Sequence, residues 1–515
     1  MPKIIQRFLI IYLLLLAVLL GGCASVDLDY PKQESTAVVD TDDTYLGQSI
    51  SPHPLQHPGE SGFFLLDDGI EALAARLLLA HRAERTLDAQ YYLITNDNIG
   101  LIFIGTLLEA ADRGVRVRLL LDDIQTKGYD AGMAALDSHP NLEVRIFNPF
   151  GVRGARAGNI TDFSRVNRRM HNKSLTADNQ VTVIGGRNIA AEYFSYRDDV
   201  NFGDLDVLTI GPAVQDVSNM FDTYWNSRYA APIPAFAKMP DDPAASLVQL
   251  RERIKQAKNE TMKTPYAEAF KETWNEYIDK NEKYFDWAPY QIIYDSPDKA
   301  DKKLAADAAS IVTPLKETVA SATQELIIVS PYFVPLKSGI AYLSELQASG
   351  VQINVITNSL AANNHGIVHS GYAPSRKPLL EAGIKIFEVR ADAVISGVDR
   401  GGSGAALATL HTKAFLVDRE HFFLGSFNWD PRSARINTEL GVIIDSPELG
   451  AWVGQQVDLS LDNETYEVVL NEKGKLRWVD RRGEKEVWLD KEPQTSWWRR
   501  FSVGFMRILP GKSQL

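Results

Sequence analysis

One pattern constrains this chain before its length or charge is considered. His171-Asn-Lys173, Asp178 and Gly185-Gly-Arg-Asn188 recur at identical internal spacing as His411-Thr-Lys413, Asp418 and Gly425-Ser-Phe-Asn428. Matched identities at fixed offsets, repeated within one chain, exclude coincidence and require a duplication. The flanks agree: Thr86-Leu-Asp-Ala-Gln-Tyr-Tyr-Leu93 and Glu325-Leu-Ile-Ile-Val-Ser-Pro-Tyr332 are short apolar runs, as strands require. A helix-like stretch then leads to Gly114-Val-Arg-Val-Arg-Leu-Leu-Leu121 in one half and Gly350-Val-Gln-Ile-Asn-Val-Ile-Thr357 in the other. Third strands follow at Leu142–Phe147 and Ile384–Phe387. Strands joined by helices, in the same order twice, predict two α/β units with a mostly parallel or mixed sheet.

The boundaries follow from where this rhythm starts and stops. Residues 62–229 form the first half and 308–460 the second. Residues 230–307, with a charged helical pattern and several prolines, read as a helical insertion or linker. Residues 461–515 begin as a strand-and-turn meander and end in a possible amphipathic membrane-surface segment, with Trp497, Phe501, Phe505 and Ile508 or Leu509 striped among Arg499, Arg500 and Arg507. A terminal helix packed on the core is the competing reading of that stripe. At the other end, Lys3 and Arg7 precede an apolar run too short to span a bilayer, and residues 1–22 read as a signal peptide. Residues 23–61, rich in Asp, Ser, Thr, Gln and Pro, read as a flexible tether.

Charge and cysteine content narrow the function. With 54 Lys+Arg against 66 Asp+Glu, the net charge is -12, which disfavours nucleic acid as a partner. The single cysteine, Cys23, removes disulfides and cysteine-built zinc sites.

The repeated motif carries the chemistry. Alternate residues of an extended chain share a face, so His171 with Lys173, and His411 with Lys413, are expected to enter one site. Imidazole supplies a nucleophile or general acid near neutral pH, and the ammonium stabilises an anionic substrate. Asn188 and Asn428 add amide donors, and small residues before them allow close backbone approach. Two such half-sites across a pseudo-twofold axis make a pocket suited to a phosphodiester. Each histidine needs a carboxylate to orient it; chain order pairs Asp204 with His171 and Glu439 with His411. Asp178 and Asp418 read as braces for turns or for the interface between halves. His365 and His369 could pair on a metal, but without a third ligand they read as a loop contacting a lipid headgroup. The run Arg153, Arg156, Arg165, Arg168 and Arg169 is either a solvated face or a phosphate-recruiting rim.

At these residues the chain resembles the phospholipase D superfamily, whose signature is a duplicated H-x-K-x4-D followed by G-x-x-N. More narrowly, Asp137–Phe150, Asn167–Ser174, His369-Ser-Gly-Tyr372 and Asp430-Pro-Arg-Ser433 resemble a bacterial cardiolipin synthase branch. The resemblance implies an α/β fold of two duplicated α/β/α halves packed on a pseudo-twofold axis, with no metal or other cofactor. It implies phosphatidyl transfer from or to phosphatidylglycerol, with phosphatidylglycerol or phosphatidylethanolamine as second substrate, through a phosphohistidine. His171 would be the nucleophile and His411 the acid/base, an assignment the pseudo-symmetry leaves open to exchange. Hydrolysis to phosphatidic acid, nuclease action on the same fold, and a non-catalytic lipid-binding lipoprotein are the alternatives. Leu20-Gly-Gly-Cys23 resembles a bacterial lipobox, which implies an acylated Cys23 as membrane anchor. Ala24 after it implies a periplasm-facing protein, sorted to the outer membrane.

Overall fold

A computed structural model of the chain describes residues 26–50, 56–154, 156–279, 285–393 and 407–507. Cys23 and the expected signal peptide lie outside the described residues, as do Ile508 and Leu509. The first half supplies β1 (Ser61–Leu66), β2 (Thr86–Tyr91), β3 (Arg116–Asp122), β4 (Leu142–Phe147), β5 (Ser174–Ala177), β6 (Val181–Gly185), β7 (Val200–Gly203) and β8 (Asp206–Ile210). Between the halves come β9 (Ala230–Pro232), β10 (Asp286–Ala288) and β11 (Tyr290–Tyr294). The second half holds β12 (Glu325–Val329), β13 (Gln352–Asn358), β14 (Lys385–Val389), β15 (Leu407–Leu410), β16 (Ala414–Val417), β17 (His421–Gly425) and β18 (Leu440–Asp445). The meander is β19 (Thr465–Leu470), β20 (Leu476–Asp480) and β21 (Val487–Leu489).

The duplication is visible in strand order. One sheet runs β10-β1-β8-β6-β5-β2-β3-β4-β9, the other β11-β18-β17-β16-β12-β13-β14-β19-β20-β21. The six-strand blocks β8-β6-β5-β2-β3-β4 and β18-β17-β16-β12-β13-β14 are the same arrangement. In each block three successive strands pair in parallel, β2–β3–β4 and β12–β13–β14, and the next two join antiparallel, β5 and β6 in one and β16 and β17 in the other, so the sheets are mixed. Parallel neighbours need a crossover, which helices Asn98–Asp112 and Leu336–Ala348 supply.

Apolar side chains sort into three cores. One lies between the first sheet and helices Gly69–Arg82 and Asn98–Asp112, and another under the outer face of the second sheet. The third is shared: Ile184 and Val207 of the first half pack with Leu424, Val442 and Ile444 of the second, and β6 touches β17 and β18. A shared core makes the relation of the two halves rigid.

Two expectations change here. Residues 230–307 are not a mere linker: β9 and β10 cap both edges of the first sheet, β11 extends the second, and helix Pro243–Thr261 packs on helices Asn98–Asp112 and Asp130–Asp137. Residues 26–50, read from composition as part of a flexible tether, form a strap on the first half. Lys32 Nζ donates to the Ala230 carbonyl at 2.8 Å, Ala37 N–H to Asp222 at 2.8 Å, and Arg118 to the Ser35 carbonyl at 2.9 Å. Backbone donors and acceptors, invisible to an apolar-periodicity reading, hold the strap.

Asp178 and Asp418 brace turns, at matching places. Each takes a positive φ in the β5–β6 or β16–β17 turn. The Asp178 carboxylate accepts backbone N–H bonds from Glu84, Arg85 and Thr86 at the start of β2, and Asp418 accepts from Thr323, Gln324 and Glu325 at the start of β12. Asp178→Ala leaves buried N–H groups unpaired and is expected to cost about 3 kcal/mol, read as a lowered denaturant midpoint; an unchanged midpoint would show that the turn holds itself. The more exposed Asp418→Ala should cost less.

Candidate active site

The histidine motifs sit in extended segments just ahead of β5 and β16, where the two halves meet. Main-chain pairing across the pseudo-twofold places them. Met170 bridges in parallel to Thr438, with the His171 N–H donating to the Thr438 carbonyl at 2.8 Å. Equivalently, β15 pairs in parallel with β7, and the His411 N–H donates to the Gly203 carbonyl at 2.7 Å. The chain leading into each histidine therefore lies beside the chain leading into the other half's acidic residue.

The side chains follow, and they correct the pairing expected from chain order. His171 Nδ1 stands 2.8 Å from Glu439 Oε2, and His411 Nδ1 stands 2.6 Å from Asp204 Oδ2. Within one half, the histidine segment leads into β5 and the acid into β8, with β6 between them, a separation of about 10 Å in a sheet. Across the axis the partners are adjacent. Asp204 and Glu439 are both site residues, each serving the opposite half.

The two halves differ where each carboxylate passes its own glycine turn. A Cβ on Gly186 would run into the Asp204 carboxylate, so that position admits no side chain. Its counterpart, Ser426, instead donates its hydroxyl to Glu439 Oε2.

The surroundings set the protonation states. His171, Lys173, His411, Lys413, Asn188, Asn428, Asp204 and Glu439 are all buried. Burial, with the lysine charges, pushes both imidazoles below their ordinary value against the pull of their carboxylates. Burial alone would raise Glu439 and Asp204, but His171 and Lys173 hold the first low, and His411 and Lys413 the second. These shifts favour neutral imidazoles, each with Nδ1 turned to a carboxylate. Burial lowers Lys173 well below its usual value and Lys413 to about 8.

The second ring nitrogens differ. His171 Nε2 makes no hydrogen bond among the described residues, whereas His411 Nε2 lies 3.5 Å from the Tyr193 hydroxyl; Lys413 Nζ stands over the His411 ring, 2.8 Å from Nδ1 and 3.2 Å from Nε2. Asn188 donates to the Tyr193 hydroxyl at 2.9 Å, and the amide oxygens of Asn188 and Asn428 are buried and unpartnered among the described residues. Lys173 Nζ donates to its own His171 carbonyl at 2.6 Å.

Sequence reasoning missed an aromatic wall. Tyr92 meets His171 edge-on at 4.8 Å, Phe202 stacks on His411 at 5.5 Å, and Tyr193 and Tyr332 approach His411 edge-on at 5.0 and 6.5 Å. Tyr92 and Tyr332 lie just beyond β2 and β12, matching strands of the two halves, a position the repeat could have flagged.

Other expectations fall away. The arginine run is neither free surface nor rim: Arg153 pairs with Asp123 and Asp130, Arg165 with Asp162, and Arg169 is buried against Asp122. His369 contacts no headgroup pocket, since it is fully buried and accepts from Arg376 at 2.8 Å. His365 alone stays near the site, 5.6 Å from the Tyr332 ring. No cluster of three metal-ligating side chains occurs among the described residues.

Comparison with known proteins places this geometry. The family model described as "Cardiolipin synthase, PLD-like domain" matches residues 78–225 and 315–458. Cardiolipin synthase C of Escherichia coli (strain K12) is 41% identical over 470 residues, covering 90% of this chain and 98% of that protein. An uncharacterized Helicobacter pylori protein (strain ATCC 700392 / 26695) is 30% identical over 97% of this chain and 99% of its own length. Phosphatidylserine synthase of Haemophilus influenzae Rd KW20 shares the fold, with a TM-score of 0.56 at 12% identity over 90% of this chain and 98% of that one.

The Lys413 value makes a pH prediction. An ammonium that holds an anionic substrate is present below its pKa and lost above it, so kcat/KM should fall as pH rises through about 8 rather than near the ordinary lysine value. Lys413→Arg should shift that limb by removing the Lys413 titration, leaving only what the lowered Lys173 contributes. A limb unchanged in the arginine variant would assign it to another group.

Proposed function

The chain belongs to the cardiolipin synthase branch of the phospholipase D superfamily, as a phosphatidyltransferase of the phospholipase D type, and from that premise we propose that it joins phosphatidylglycerol to a second phospholipid to form cardiolipin. The observation that carries this reading is the pair of carboxylate-oriented histidines, one from each half, sharing a buried site with two lysines. His171 is the nucleophile, because its Nε2 is the unengaged ring nitrogen.

The reaction runs in two displacements. His171 Nε2 attacks phosphorus, the P–N bond forms and the P–O bond to the leaving alcohol breaks, while His411 gives that alcohol a proton. A headgroup hydroxyl of the accepting phosphatidylglycerol then loses its proton to His411 and attacks phosphorus, and the P–N bond breaks; glycerol or ethanolamine is the alcohol released, according to whether the donor is phosphatidylglycerol or phosphatidylethanolamine. Entry of the anionic phosphodiester supplies the negative charge that lets His411 hold its proton. Lys173 and Lys413 neutralise the equatorial phosphate oxygens. Rotating the Asn188 and Asn428 amides turns their NH2 ends toward the same oxygens.

Discrimination against water rests on the aromatic wall and on the depth of the histidines. The substrates are bilayer lipids, and no helix among the described residues is long and apolar enough to cross a membrane. We place the protein in the bacterial cell envelope, facing the periplasm on the outer membrane, tethered by acyl chains on Cys23.

Purified protein given vesicles of phosphatidylglycerol and phosphatidylethanolamine should form cardiolipin and release glycerol or ethanolamine. His171→Ala and His411→Ala should each lower turnover by at least about 10³-fold with an unchanged thermal midpoint. Phosphatidic acid as the only product would make the enzyme a hydrolase, and retained turnover in either variant would contradict the two-histidine reaction.

A further inference from the structure

The C-terminal helix presents a surface that the catalytic site does not explain. Helix Trp497–Met506 exposes Trp497, Trp498, Phe501 and Phe505 at 59%, 70%, 54% and 59%, while Val503 is its one buried residue. The exposed rings are organised: Trp497 stacks on Phe501 at 5.3 Å, and Trp498 meets Trp497 edge-on at 4.6 Å. Arg499, Arg500 and Arg507 accompany them, with no acidic residue between Trp497 and Arg507. The sequence reading left this stripe between a core helix and a surface helix, and its exposure excludes the first.

The helix is fixed in place rather than dangling. Ser496 caps its N-terminus, Val503 packs against Gly366, and Arg499 donates to the Asn363 carbonyl at 2.7 Å. Just ahead, Glu492 pairs with buried Arg376 at 2.7 Å. The loop that receives Arg499 also borders the catalytic pocket. Thr409, two residues before His411, donates to the Ala362 carbonyl at 2.8 Å, and Tyr332, whose ring faces His411, donates to Asn364 at 2.9 Å. One loop separates the aromatic face from the active site.

We propose that helix Trp497–Met506 docks the protein on an anionic phospholipid bilayer, its aromatic face entering the interfacial region and its arginines meeting headgroup phosphates. Tryptophan and arginine on one short helix are the composition of interfacial segments, and the positive charge is local in a chain of net charge -12. A second copy is a poorer occupant. Four half-exposed aromatic side chains offer roughly 500 Å², short of the ~800 Å² per partner of a standard protein interface. Docking through this helix holds the pocket beside the loop 362–365 at headgroup depth, where a phosphodiester lies. The docking surface stands on the helix's own geometry and does not depend on which reaction the site performs.

The test reads tryptophan position, independent of turnover and of any N-terminal anchor. The full chain is reconstituted with phosphatidylglycerol–phosphatidylethanolamine vesicles whose acyl chains are brominated near the headgroup. Tryptophan fluorescence should be quenched, and most of the quenching should vanish in Trp497→Phe/Trp498→Phe, which keeps the aromatic face. Phe501→Glu/Phe505→Glu should loosen the remaining tryptophan contact and reduce wild-type quenching at least twofold. Quenching equal in the wild type and the Trp→Phe variant would overturn the proposal. So would a self-association, by sedimentation of detergent-solubilised protein, that is lost in the Phe→Glu variant while quenching persists.

Discussion

Two short hydrogen bonds across the pseudo-twofold axis, His171 to Glu439 and His411 to Asp204, are what the rest of this molecule is arranged to make. Neither half owns a complete catalytic pair. His171 and Glu439 come from positions 268 residues apart, and His411 and Asp204 from positions 207 apart. Only a rigid contact between halves can hold such bonds at hydrogen-bond length, and the shared core of Ile184, Val207, Leu424, Val442 and Ile444 provides it. A duplicated fold is thus a chemical requirement here as well as a history.

The crossing also settles the electrostatics. Two buried lysines face two buried carboxylates, whose negative charge opposes the pull of burial on the lysines. Setting opposite charges beside one another lessens the penalty of a buried ion. In the proposed reaction an anionic phosphodiester favours the protonated lysines and one protonated imidazole, so that substrate entry itself would prepare the general acid.

Much of this was legible in the chain. The repeated His-x-Lys, Asp and Gly-x-x-Asn spacing announced two α/β units and one composite site, and Asp178 and Asp418 read as braces for turns or for the interface between halves, of which the structure shows the turns. What could not be read was anything that depends on which residues meet across an axis. Chain order put Asp204 nearer His171, but the intervening strand β6 puts them too far apart, and only the parallel pairing of β7 with β15 reveals the true partner. Composition misled in two places for a related reason. The strap at residues 26–50 is held by backbone polar groups, and Arg153 and Arg169 before His171 are consumed by aspartates distant in sequence. Periodicity finds apolar faces; it does not find hydrogen-bond partners.

The segment between the halves and the C-terminal helix extend the same logic outward. Strands β10 and β11, nearly contiguous in sequence, each seal a different sheet, so the connection that separates the repeats also fastens them. Helix Trp497–Met506 sits one loop from His411, which links the arrangement of the pocket to the surface on which lipids reside.

The crossed pairing is the central claim, and ¹⁵N NMR of the imidazole side chains tests it most directly. With each histidine assigned from its own substitution, Glu439→Gln should disturb the Nδ1–H signal of His171 and leave that of His411 in place, and Asp204→Asn should do the reverse. Glu439→Gln acting on His411, with His171 unmoved, would return each carboxylate to its own half and contradict the account.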